Sequence, residues 1–151
     1  MTLPPTWNLF GDDHLPHRIL LLAKMIDREA ARQLLDDFGL SLAEWRVLAF
    51  VCSAGPATAA DVGSAFEVDR AEVSRAVGRL IDGGYVDRAT LPSNRKKMIL
   101  HPTKEGRAIF DDARKVRQRY FQAIMQDLDP PTTSLMADML EKVALRVVEL
   151  R

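Results

Sequence analysis

The stretch Asp69-Arg-Ala-Glu-Val-Ser-Arg-Ala-Val-Gly-Arg-Leu-Ile-Asp-Gly-Gly-Tyr-Val-Asp-Arg88 decides the fold, together with Arg95-Lys-Lys-Met-Ile-Leu-His101 beyond a polar turn. It reads as a helix followed by a two-stranded ribbon. Asp69 suits an N-cap, since its carboxylate can accept from the free amides of the first turn. Val73, Ala76, Val77, Leu80 and Ile81 recur at helical spacing as one apolar face. Gly83-Gly84 stops the helix, because a C-cap favours the left-handed backbone that glycine adopts cheaply. The opposite face holds Arg70, Ala71, Ser74, Arg75, Gly78 and Arg79, each either small or basic. Such a face suits a DNA major groove: small residues allow close approach, while arginine and serine reach phosphates and base edges. Taken alone, the helix is more simply read as a solvated amphipathic element with its arginines in water.

The ribbon tips that balance. Tyr85 to Thr90 and Lys97 to His101 read as strands, and Leu91-Pro92-Ser93-Asn94-Arg95 as the turn between them. Arg95 and Lys96 then stand at or near the tip, where an arginine can enter a narrow minor groove of strongly negative potential. From Arg70 to Arg107 there are nine basic and four acidic residues, net +5; the first 69 residues carry five basic and ten acidic ones, net −5. Lys97 adds to the basic cluster at the second strand. A chain of zero formal net charge thus gathers its positive charge in one segment, an electrostatic footprint for nucleic acid.

With 151 residues, 47% hydrophobic and 28% charged, the composition is that of one soluble globular domain, residues 1–151. No apolar run approaches the ~20 residues that span a bilayer, so no membrane association is expected. No basic-then-apolar leader opens the chain, and the single cysteine, Cys52, leaves no internal disulfide; both fit a cytoplasmic location.

Residues 1–14 are turn-rich and read as an arm whose Trp7, Leu9 and Phe10 pack on a partner subunit or fold back locally. A long helix runs from Pro16 to about Phe38. Its apolar residues, Ile19, Leu22, Ile26, Leu34 and Leu20, Leu21, Met25, Leu35 among them, cover two sides. Ser41-Leu-Ala-Glu44 is a capping box opening a second helix that stops near Gly55-Pro56. Thr58-Ala-Ala-Asp61 opens a short third helix, and Glu67-Val68 turn into the Asp69 cap. Two short helices so joined, the second basic outside, form a helix-turn-helix. Thr103 caps a further long helix, Asp129-Pro130-Pro131 breaks it, and Thr132 or Thr133 starts the last one, rich in Leu, Met and Val. The fold class is therefore mainly α: a winged helix-turn-helix lobe (residues 41–103) with a two-stranded β wing, flanked by helical dimerisation segments (1–40 and 104–151). Paired end helices would cover the apolar surface and set two recognition helices about one DNA turn apart.

These residues resemble the MarR family of bacterial regulators over nearly the whole chain. The marks are Trp45-Arg-Val-Leu48, Thr58-x-x-Asp61-Val, Val73-Ser-Arg75 with Leu80, Gly84-Tyr-Val-x-Arg88, Asn94-Arg95-Lys96 and Leu100-x-Pro-Thr103-x-x-Gly106. The resemblance implies a homodimeric regulator of a pseudo-palindromic double-stranded DNA site, usually a repressor, often released by a small phenolic or other lipophilic ligand. It places Ser74 and Arg75 in the major groove and Arg95 in the minor groove. Two positions depart from the pattern. Asn94 stands for the usual aspartate, so an amide hydrogen bond must replace a salt bridge at the wing. Pro102 stands for a leucine, and the strand should end there.

Other chemistry is thin. His14 and His17 lie beside Asp12 and Asp13, a loose metal-like grouping that fits surface or interface histidines better. Cys52 sits in an apolar stretch without an adjacent basic residue, as a small hydrophobe rather than a redox sensor. No phosphate loop or nucleophile elbow appears, so no enzyme and no cofactor is expected. An aromatic effector would be lined by His17, Leu21, Met25, Trp45 and Tyr120, residues that equally fill core. The competing functions are a winged helix that docks a protein through the same face, and a carrier of lipophilic ligands.

Overall fold

The computed structural model describes residues 2–11 and 14–151. Its elements run α1 (Leu15–Phe38), α2 (Leu42–Ser53), α3 (Ala59–Phe66), α4 (Arg70–Asp82), β1 (Val86–Leu91), β2 (Asn94–Pro102), α5 (Lys104–Ile124) and α6 (Pro130–Glu149). The architecture is mainly helical with one antiparallel two-stranded sheet. The chain divides into two compact units, Met1–Ala113 and Arg114–Arg151.

In the first unit one core joins α2, α3, α4 and the wing. Val47, Leu48 and Val51 of α2 are fully buried, and so are Val62 of α3, Ala76 and Leu80 of α4, and Val86 of β1. Local chemistry sets the helix starts. Ser41 and Glu44 form a reciprocal capping box, and Thr58 and Asp61 form a second. Asp69 caps α4 by accepting from the amides of Ala71 (2.9 Å) and Glu72 (3.1 Å). Gly84, at φ 75, supplies the left-handed turn between α4 and β1. A bridge between Ala57 and Leu100 fastens the α2–α3 loop to the root of the wing (Leu100 N to Ala57 O, 2.8 Å).

The Thr58 amide and hydroxyl, and more weakly Lys97, hold the Asp61 carboxyl below its ordinary range. A depressed carboxyl stabilises the fold above its unfolded value and loses that contribution as pH falls through the folded value. Amide protection in α3 should therefore be level through neutral pH and drop only below the ordinary 3.8. Hydrogen exchange across an acid series checks this, and a loss already at pH ~5, above the reference carboxyl value, would contradict it.

Two element boundaries differ from expectation, the start of the last helix and the wing turn. The last helix begins at Pro130, not at Thr132 or Thr133: Asp129 accepts from Thr132 N (2.8 Å) and the two prolines occupy the first turn, where their missing amides cost nothing. The second helix ends at Ser53 with its C-cap at Ala54, beside Gly55-Pro56 as expected. The wing turn is shorter than five residues, because β1 extends to Leu91 and β2 starts at Asn94, leaving Pro92 and Ser93 between them.

The arm folds back on the start of α1. Arg18 donates to Trp7 O (3.3 Å) and to Asn8 Oδ1 (3.0 Å), His17 Nε2 meets Thr6 O (3.0 Å), and Phe10 packs against the His14 and His17 rings. Of the metal-like grouping, Asp12 and Asp13 lie outside the described residues. Along α1, Ala30 and Leu34 are buried whereas Leu20, Leu22, Met25 and Leu35 are exposed. In the second unit α6 has no buried residue at all, and Leu135, Met139, Leu140, Val143 and Val148 are exposed. Among the described residues no helix is long and apolar enough to cross a membrane.

Candidate nucleic-acid interface

The recognition helix α4 is held by its inner face. Val73, Ala76, Val77 and Leu80 are buried, and Arg70, Ala71, Ser74, Arg75, Gly78 and Arg79 are all exposed. The two faces separate along the line that the spacing predicts. A Cβ on Gly78 would meet nothing within 4 Å, so the fold itself does not require glycine there and the position is open to an approaching partner. Among the described residues, Arg70, Arg75, Arg95 and Lys96 enter no ion pair. Their charge is directed outward rather than spent within the lobe.

Arg79 is different. Its Nε donates to the Glu44 carboxylate and its Nη2 lies 3.4 Å from Ser41 Oγ. The residue is exposed, yet its guanidinium is tied to the start of α2. Sequence spacing marks the Ser41–Glu44 box but carries no sign of a partner 35 residues further on.

The wing places its charges by an irregularity. Thr90 pairs with Met98 and Leu91 with Asn94. β1 thus advances one residue while β2 moves back four, leaving Arg95, Lys96 and Lys97 outside the register. Such a bulge breaks the alternation of a strand and re-aims its side chains; all three are exposed. Asn94 Oδ1 accepts from Lys96 N (3.1 Å), so the amide that replaces a carboxylate here shapes the backbone of the bulge. β2 ends at Pro102, as the missing amide requires.

At the base of the wing, Thr103 ties three segments. Its hydroxyl donates to Gly84 O (2.7 Å) and accepts from Gly106 N (2.9 Å), and its amide donates to Tyr85 O (3.0 Å). Gly106 is buried here against the Tyr85 carbonyl, a close approach that composition alone does not announce.

A sequence model of the MarR family matches residues 38–97, from the end of α1 to the wing bulge. Over these residues the winged-helix lobe is similar to the MarR family. Over 114 residues the chain is 29% identical to the uncharacterized HTH-type transcriptional regulator YwoH of Bacillus subtilis, spanning 76% of this chain and 82% of that one. The MarR/EmrR family transcriptional regulator from Acinetobacter sp. ADP1 superimposes with a TM-score of 0.82 at 19% identity, covering 91% of this chain and 97% of the other. A mutant MarR from E. coli complexed with operator DNA gives a TM-score of 0.77 at 21% identity, over 93% and 99% of the two chains. The MarR-like winged helix-turn-helix with a β wing is thus the fold of this chain.

The residues expected around an effector are engaged in other ways. Trp45 is stacked on Phe110 (centroids 5.4 Å apart), His17 meets Thr6 O, Leu21 is half-buried and Met25 is exposed. Tyr120, in the second unit, packs beside Phe121 and under the Arg117 guanidinium. Burial pushes the Cys52 thiol up, against a weaker pull from Arg107, which disfavours the thiolate that redox sensing needs. Among the described residues no three His, Cys, Asp or Glu side chains gather as a metal site.

Proposed function

We propose that this MarR-like protein is a DNA-binding transcriptional regulator that reads a pseudo-palindromic duplex as a homodimer, usually repressing. The observation that carries it is the outward set Arg70, Ser74 and Arg75 on one face of a helix whose other face is buried, beside a wing whose bulge exposes Arg95, Lys96 and Lys97. The operator DNA in the E. coli MarR complex supports the same partner. Two copies are supported by α6, whose apolar side chains stand in water in a single chain. Release by a small aromatic ligand belongs to the same reading; such a ligand would have to displace the Trp45–Phe110 stack or the His17–Thr6 bond.

Arg75, Ser74 and Arg70 are assigned to the major groove and Arg95 to the minor groove, with Lys96 and Lys97 adding electrostatic attraction to the phosphates. Arg75→Ala should cost ~1–3 kcal/mol and flatten the preference between sequences, whereas Lys96→Ala should weaken all duplexes alike and lower the salt slope by about one. Fluorescence anisotropy over a salt series on matched and scrambled duplexes reads both. An identical, sequence-blind loss from the two variants sinks this division of labour. Docking of a protein through the same face is the rival, and it lacks the steep fall of affinity with salt that counterion release imposes on DNA binding.

A further inference from the structure

We infer that Glu44 and Arg79 act together as the positioning device of the recognition helix, with Arg79 a strut to α2 rather than a phosphate contact. This rests on the DNA-binding reading above and refines it at one residue. Glu44 is 6% exposed, an acid almost wholly removed from water. One carboxylate oxygen accepts from Ser41 N (2.7 Å), closing the capping box of α2. The other accepts from Arg79 Nε, in the third turn of α4, whose Nη2 also reaches toward Ser41 Oγ. A single buried acid therefore satisfies the first turn of one helix and grips the outer side of another. A buried charge is costly unless it is paired and hydrogen-bonded, so Glu44 holds the guanidinium as firmly as the guanidinium holds it.

The consequence for binding is directional. Arg75 lies one turn before Arg79 on the same face, so the azimuth of α4 about its own axis, fixed by Arg79, sets where Arg75 points. Loss of the grip lets α4 roll on its apolar face and blunts the base contacts without removing any of them. Lysine does not replace arginine here, because its point charge lacks the planar fork that engages carboxylate and hydroxyl together.

The experiment uses the full chain and a duplex that it selects from a random-sequence pool. Arg79→Lys keeps the charge, and Glu44→Gln keeps the capping box, in which glutamine serves as well. Each should weaken binding roughly tenfold, the scale of one lost charge-assisted hydrogen bond, with the salt slope unchanged. The double variant should be no weaker than either single, since both remove the same interaction. Charge alone demands the reverse for Glu44→Gln, because deleting an acid beside a basic face favours a polyanion. Tighter binding by Glu44→Gln, wild-type binding by Arg79→Lys, or additive losses overturn the strut. Circular dichroism and Tm show that the variants are folded; if Glu44→Gln is not, the Arg79→Lys result decides alone. Arg75→Ala runs alongside. Failure of the wild-type chain to enrich any duplex sinks the DNA-binding reading itself, whereas binding that responds to Arg75→Ala but to neither Arg79→Lys nor Glu44→Gln sinks only the strut.

Discussion

Replacing Gly106 by alanine should strongly destabilise the lobe. A Cβ at this position would lie 1.9 Å from Tyr85 O and 2.9 Å from Tyr85 C. Neither can give way, since they are backbone, and Tyr85 O already accepts from Thr103 N. Relief requires the first turn of α5 to lift from the base of the wing, breaking the Thr103 bonds to Gly84 and Tyr85. Overpacking of this kind costs about 1–3 kcal/mol, here toward the upper end because only backbone could yield, a fall in Tm of up to roughly 10 °C for a chain of this size. Gly78→Ala is the internal contrast. Nothing lies within 4 Å of its new methyl, so helix propensity should make that variant more stable by ~0.5–1 kcal/mol, while under the proposed function the methyl would crowd the DNA. Calorimetry on both variants checks the opposite signs; an unchanged Tm for Gly106→Ala would mean that α5 does not sit on Tyr85.

Aspartate at both Leu140 and Val143 should split the proposed homodimer. These residues lie three apart on α6 and both are exposed in the single chain, so the substitutions strain no intrachain packing. In a two-fold contact each charge appears twice, buried in apolar surroundings where an unpaired carboxylate is strongly disfavoured. Sedimentation should shift from dimer to monomer with helix content retained. The monomer engages one half-site at a time and forfeits the effective concentration that a tethered second reader supplies, a loss of roughly 10²–10⁴-fold on a palindromic duplex. A doubly substituted protein that still sediments as a dimer, or binds that duplex like wild type, would place the contact elsewhere.

Residues within a few positions of each other made much of this fold legible. Asp69, Ser41 with Glu44, and Thr58 with Asp61 open three helices by rules that span three residues, and apolar spacing separates the two faces of α4. Pro130 obeyed a local rule as well; it tolerates the first turn of α6 and does not delay it. What spacing cannot carry is pairing over distance. Glu44 meets Arg79 only because α2 and α4 share a core, and Gly106 is constrained only by Tyr85, which reaches it through the wing. The bulge at Arg95–Lys97 is hidden for another reason: three consecutive basic residues fit a regular strand and an irregular one equally well, and the partner strand decides.

The single Ala57–Leu100 bridge ties the wing down at its root, far from Pro92–Ser93 at its tip. Residues added or removed at those two positions would alter how far the ribbon reaches without disturbing the helices behind it. Under the proposed function, such a change would retune how far the finger reaches along a duplex while the body that carries it stays the same.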